Sequence, residues 1–217
     1  MQNPQRGFTL IEIAIVLVII GLLLGGVLKG QEMIENGKIR NAANELNGIS
    51  AAFNSYRDRY RQLPGDDSGG SAGIAARGTA WTDIPAGNGN GVLDISDAQT
   101  FTGAGEGDNF WRQLRAAGLL TGNPADAAAN SVPKNAYGGP TGITNAPMGI
   151  SGPAICMGGL PGKAALALDT QLDDGTPNAG STRATTASAN NTAPAAAVAD
   201  AATAYSEDAL YTVCRAA

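Results

Sequence analysis

Between Phe8 and Leu28 the chain is an almost unbroken apolar run, FTLIEIAIVLVIIGLLLGGVL, in which Glu12 is the only ionisable side chain. As a helix rising about 1.5 Å per residue it covers roughly 30 Å, the thickness of a bilayer core. Beyond Leu28 the pattern changes. Ile39, Ala42, Leu46, Ile49, Phe53, Tyr56 and Tyr60 recur at alternating intervals of three and four, which places them on one face of an amphipathic helix. The same spacing suits a coiled coil, but only about three heptads are present and Gly37 and Gly48 interrupt them, so packing against a C-terminal body is expected instead. Pro64-Gly65 stops the helix because proline has no N–H for the next turn. The pattern therefore divides the chain into an apolar helix over 8–28, an amphipathic stem over 29–62 and a body over 63–217.

Periodicity in the body is weaker. Phe110, Trp111, Leu114 and Leu119 stand at near-helical spacing with Gly118 behind Ala117, which predicts a short helix from Glu106 to Ala117. Gly- and Pro-punctuated apolar runs predict strands at Ile155–Met157 and Ala164–Leu172, with a turn at Asp173-Asp174-Gly175 and a last strand at Leu210–Cys214. Alternation of Leu166, Leu168 and Thr170 favours the second strand, although its alanines leave a short helix open. Residues 181–204 are low in complexity and nearly without large apolar side chains, so a mobile, exposed loop with little share in a core is expected there.

Composition narrows the chemistry. The 217 residues contain 30 Gly, 11 Pro and 5% aromatics, a loop-rich body with a modest core. Residues 1–62 carry 7 basic and 5 acidic side chains, residues 63–217 carry 7 basic and 14 acidic. The body is acidic, so no nucleic acid is expected on it, because phosphate binding needs concentrated positive charge. With 0 His, no Ser-His-Asp or Cys-His nucleophile, His-bound zinc or imidazole acid/base can be built. Only carboxylates remain for catalysis, and the Asp173-Asp174 pair in its turn reads as solvated turn residues. No enzymatic activity is expected.

The apolar run is too long for a cleaved secretory signal, and the KGQEMIENG that follows offers no small-residue cleavage site. An ordinary membrane anchor leaves Glu12 unexplained, since a carboxylate in lipid costs a few kcal/mol and normally has a partner or a role. Gln5-Arg6-Gly7-Phe8-Thr9-Leu10-Ile11-Glu12 followed by a long apolar helix resembles the processing motif of type IV prepilins and type II secretion pseudopilins. That resemblance implies a leader over 1–7, cleavage by a prepilin peptidase between Gly7 and Phe8, N-methylation of Phe8, and an assembly role for Glu12 as the membrane-embedded carboxylate that meets the new amine of a neighbouring subunit. It also implies an α+β fold: a long N-terminal α-helix, membrane-spanning in its first half and packed by its second half on a small, loop-rich antiparallel β-sheet domain. LPGDD, the Gly/Asn-rich segment and E…FWRQLRAAGLL extend the resemblance to a loop-rich group of prepilin-type proteins.

The resemblance implies as partners copies of the chain itself or related pilins in a filament, the prepilin peptidase, an inner-membrane assembly platform and membrane lipid. Arg6 fits the positive-inside rule, which puts a single-pass chain in the inner membrane with its body periplasmic or extracellular, and in a surface filament after assembly. One departure stands out: many pilins carry a helix proline near the outer membrane edge, whereas none occurs here between Phe8 and Leu63. The expected function is a structural filament subunit, with a minor pilin or pseudopilin acting as a surface binding module for adhesion or secretion as the alternative.

Two further constellations bear on the body. Asp83, Asn88, Asn90 and Asp94 place side-chain oxygens at intervals with glycines between them, a layout suited either to wrapping a hard cation such as Ca²⁺ or to a plain Gly/Asn turn. No cofactor is expected unless calcium occupies this loop. Cys156 and Cys214 are the only cysteines. Outside the cytoplasm they are expected to be bridged, as in the disulfide-bounded C-terminal region of many pilins.

Overall fold

The computed structural model describes residues 9–197, 199 and 201–217. Helix α1 runs from Leu10–Tyr60, 51 residues without a break. It ends where Arg61 takes a left-handed φ of 57° while its N–H still reaches the Arg57 carbonyl at 2.9 Å. Pro64, with no N–H to give, then bars continuation of α1.

Two compact units divide the chain, one up to Lys38 and the other Ile39–Ala217. In the first, the large apolar side chains of α1 from Leu10 to Ile34 are exposed, Leu10 by 89% and Leu22 by 73%. In the second, the expected stripe is buried from Ile39 to Tyr56, with Ala43 and Ala52 added to it and Tyr60 partly buried against it. The fold is α+β, a long N-terminal helix with a small antiparallel sheet.

Helix α2, Glu106–Ala116, matches the expected segment. Glu106 and Asp108 lie in its first turn, where carboxylates complement the helix dipole, and Phe110, Trp111 and Leu114 are buried. Four strands follow: β1 Thr141–Asn145, β2 Pro153–Pro161, β3 Thr182–Ala187 and β4 Leu210–Ala216, with helix α3, Gly162–Leu172, between β2 and β3. All pairings are antiparallel in the order β1-β2-β4-β3. Helix α3 lies against β2, β3 and β4, and α2 against β1.

Two expectations need correction. Ala164–Leu172 is helical within α3. A strand would put Leu166 and Leu168 on one face, yet Leu166 is 43% exposed and Leu168 1%. Residues two apart on a helix lie about 200° apart, whereas Ala164 and Leu168, four apart and both buried, share a face. The Ala and Leu content decided the matter through helix propensity. The expected loop over 181–204 opens with β3, in which Thr182 and Ala184 are wholly buried. Its stability comes from main-chain hydrogen bonds to β4, which need no large side chain, and its small residues let the sheet lie close under α3.

Candidate functional site

At the N-terminal end, Gly7 and Phe8 lie outside the described residues, as does the rest of the expected leader. Thr9 immediately precedes α1. Its N–H and Oγ1 donate to Glu12 Oε2 at 2.8 and 2.7 Å, and the Glu12 N–H donates back to Thr9 Oγ1 at 3.3 Å. This is a capping box: each side chain satisfies a donor that the first helical turn leaves without an internal acceptor. Glu12 also sits at the positive end of the helix dipole. Among the described residues no basic side chain pairs with it. Thr9 stands in the motif with no role assigned from sequence, although Thr-x-x-Glu ahead of an apolar run is itself a signal for this arrangement.

The rest of this end is an apolar cylinder. Helix α1 is long and apolar enough to cross a membrane, and none of its most apolar stretch is buried within the chain. A Cβ added at Gly21, Gly25, Gly26 or Gly30 would meet nothing within 4 Å, so no contact inside the chain requires these glycines.

In the second unit, LPGDD holds the body on α1. Asp66 and Asp67 are both wholly buried. Asp67 accepts from the Tyr56 hydroxyl at 2.7 Å and from both terminal nitrogens of Arg77 at 2.5 and 3.1 Å. The Arg77 guanidinium lies 4.3 Å from the Tyr60 ring centroid and 5.1 Å from that of Trp81. Burial, and then hydrogen bonding to Asp67, push the Tyr56 hydroxyl far above its ordinary range, so it stays a neutral donor. Gln113 closes the hub by accepting from the Gly65 N–H at 2.6 Å and donating to the Pro85 carbonyl at 3.1 Å. Gly65 has a φ of 98°, and a Cβ there would come within 2.8 Å of the Glu106 carbonyl oxygen, so only glycine fits.

Asp66 organises the Gly/Asn-rich loop from beneath. Its carboxylate accepts the main-chain N–H groups of Gly89 at 2.7 Å, Asn90 at 3.1 Å and Gly91 at 2.8 Å. Left-handed φ values of 72° at Gly89 and 85° at Gly91 turn these successive amides inward, an anion-binding nest. Glu106 Oε2 accepts the Asp94 N–H at 2.6 Å. Of the residues considered as cation ligands, Asn88 and Asn90 donate their side-chain amides to Asp94 Oδ2 at 2.7 and 2.8 Å. No hydrogen bond joins Asp83 to these three; its carbonyl accepts from Arg112 at 2.5 Å. In the structure the side-chain amides of Asn88 and Asn90 thus face the Asp94 carboxylate, and the main-chain amides of the loop face Asp66. The pairing of Asp67 with Arg77 is not legible in the sequence, because a buried acid and its basic partner ten residues on carry no local pattern.

Cys156 and Cys214 form a disulfide across the paired strands β2 and β4. The bridge closes a loop with a sequence separation of 58, for which chain-entropy reasoning gives about 4 kcal/mol of stabilisation. Helix α3, strand β3 and the low-complexity segment all lie within that loop.

No curated protein sequence matches the chain. Its residues 2–28 match the model of the prokaryotic N-terminal methylation motif, a span covering Gly7, Phe8 and the Thr9–Glu12 capping box. The chain therefore carries the N-terminal motif of type IV pilin-like and pseudopilin-like prepilins, set on an apolar helix long enough to cross a membrane.

Proposed function

We propose that this chain is a structural subunit of a type IV pilus-like filament. Prepilin peptidase removes residues 1–7 by cutting between Gly7 and Phe8, and Phe8 becomes the N-methylated first residue. Before assembly the 8–28 segment lies in the inner membrane with the body outside the cytoplasm, an orientation supported by Arg6 on the leader. The observation that carries this reading is the exposed apolar surface of α1 from Leu10 to Leu28, interrupted by one ionisable side chain, Glu12. Such a surface is stable only in lipid or against other apolar helices. Helix-to-helix polymerisation exchanges one environment for the other, and Glu12 sets the stagger. A subunit added beside an older one is favoured when its new amine lies against that neighbour's carboxylate, because each buried charge then has a partner. A Glu12 placed for such pairing favours a subunit added within the filament over a binding module at its tip.

The test is the mature N-terminus of the protein recovered from cells with an active prepilin peptidase. Mass spectrometry is expected to find N-methyl-Phe8 as the first residue and, for Gly7→Val, an uncut chain. A wild-type protein still beginning at Met1 in such cells overturns the proposal.

A further inference from the structure

Beyond the N-terminal helix, the C-terminal end of α3 gathers acidic side chains that no basic side chain among the described residues pairs with. Asp169, Asp173 and Asp174 each place a carboxylate oxygen within 4.8 Å of the others, and among the described residues theirs is the only such group of three. Asp169 is wholly buried. Its Oδ2 accepts from the Tyr205 hydroxyl at 2.8 Å, while its Oδ1 has no partner. Asp173 Oδ2 accepts the Ser181 and Thr182 N–H groups at 2.5 and 2.8 Å. Thr182, also wholly buried, leaves its Oγ1 without a partner. Among the described residues no Lys or Arg pairs with any of the three acids.

The location sharpens the imbalance. A helix C-terminus carries the negative end of the dipole and favours cations, yet the last turn of α3 has no basic residue and three acids gather there. Unpaired carboxylate oxygens in a buried site are costly unless a positive charge meets them.

We infer that Asp169, Asp173 and Asp174 bind a hard divalent cation, Ca²⁺, with Asp169 Oδ1 as the buried ligand. Bonded at about 2.4 Å to oxygen, one calcium ion reaches all three carboxylates and tolerates the irregular geometry of a helix end and turn, whereas Mg²⁺ demands shorter bonds and near-octahedral order. The ion clamps the end of α3 to the turn and, through the Asp173 contacts to Ser181 and Thr182, to the start of β3. It thereby fastens the interior of the loop that Cys156–Cys214 closes at its ends.

The test uses the full chain in detergent, with Ca²⁺ alone and Tb³⁺ as probes. With calcium at about 100 times its dissociation constant, the melting temperature is expected to rise by roughly 5–10 °C over the chelated protein, and Mg²⁺ at the same concentration gives a smaller shift. Tb³⁺ emission excited through tyrosine is expected to appear and to fall sharply in Tyr205→Phe. Asp174→Asn, at an exposed position, lowers calcium affinity by about tenfold or more. Asp169→Asn abolishes the calcium response while leaving the chelated protein at least as stable as wild type, which separates lost binding from failed folding. Absence of a calcium-dependent shift overturns the inference. So does a shift that survives both substitutions and disappears in Asp94→Asn, because the ion would then sit on the Gly/Asn loop.

Discussion

Replacing Glu12 with Gln separates two roles that one carboxylate plays in this helix. In the single chain Glu12 is the distal half of a capping box, accepting from the Thr9 N–H and hydroxyl at 2.8 and 2.7 Å. Such a cap is worth roughly 0.5–2 kcal/mol, and Gln fills the same position because its amide oxygen accepts both bonds. In the proposed filament the carboxylate also neutralises the amine created before Phe8 on a neighbour, and Gln cannot. An unpaired charge at bilayer depth costs roughly 2.5–3.5 kcal/mol on insertion scales, which amounts to about 100-fold in the equilibrium for adding one subunit. Glu12→Gln is therefore expected to be cut normally, to accumulate in the membrane fraction and to yield few or no filaments. Thr9→Val, which loses the side-chain half of the cap and keeps the charge, is expected to assemble. The assay is electron microscopy and immunoblotting of sheared surface material, with the mature N-terminus checked in the membrane fraction. Wild-type filament yield from Glu12→Gln would refute the pairing role and leave Glu12 as a helix cap alone.

In the body, Asp67→Asn removes the charge that holds Arg77 while keeping the size of the side chain. Losing one partner of a buried pair costs about 3–5 kcal/mol; here the Arg77 side chain is 20% exposed and keeps its aromatic neighbours, so about 2–4 kcal/mol is expected. That lowers the melting temperature by roughly 5–15 °C, and adding Arg77→Met is expected to restore part of it; no change in Asp67→Asn contradicts the hub. Glu45 offers a pH test. Burial raises its pKa, partly offset by the Thr141 hydroxyl that donates to it at 2.7 Å. A carboxyl raised in the folded state binds its proton more readily there than in the unfolded chain. Its contribution is therefore most favourable at low pH and declines as pH rises from the unfolded pKa through the folded one. Glu45→Gln is expected to melt higher than wild type at pH 7, with the gap closing as pH falls toward about 4; a gap that is constant with pH would rule out titration of Glu45 as its cause.

Where a local pattern and its physical cause coincide, the structure follows the sequence closely. The apolar run, the stripe from Ile39 to Tyr56 and the stop before Pro64 reappear as one helix, because a 3.6-residue period and a missing N–H act over a few neighbouring positions. The same holds for α2, whose apolar residues lie within one turn or two of each other. Alternation misled at Leu166 and Leu168, since over so short a segment a strand pattern and one edge of a helix look alike. At β3 hydrophobicity was the wrong quantity to weigh, because a strand of Thr and Ala is held by main-chain bonds to β4.

By itself, then, the sequence determined the apolar helix with its motif at residues 2–28, the lone Glu12 and the acidic, histidine-free body, since each is a matter of composition or of spacing along the chain. Only the tertiary structure decided that Asp66 is ringed by the amides of a loop some twenty residues on, that Asp67 pairs with Arg77, that β4 lies between β2 and β3, and that Asp169 is gathered with Asp173 and Asp174 near Tyr205. These are pairings between residues distant in sequence. Their free energy depends on burial and on which charges and amides the folded chain brings together, and neither is written in any local pattern.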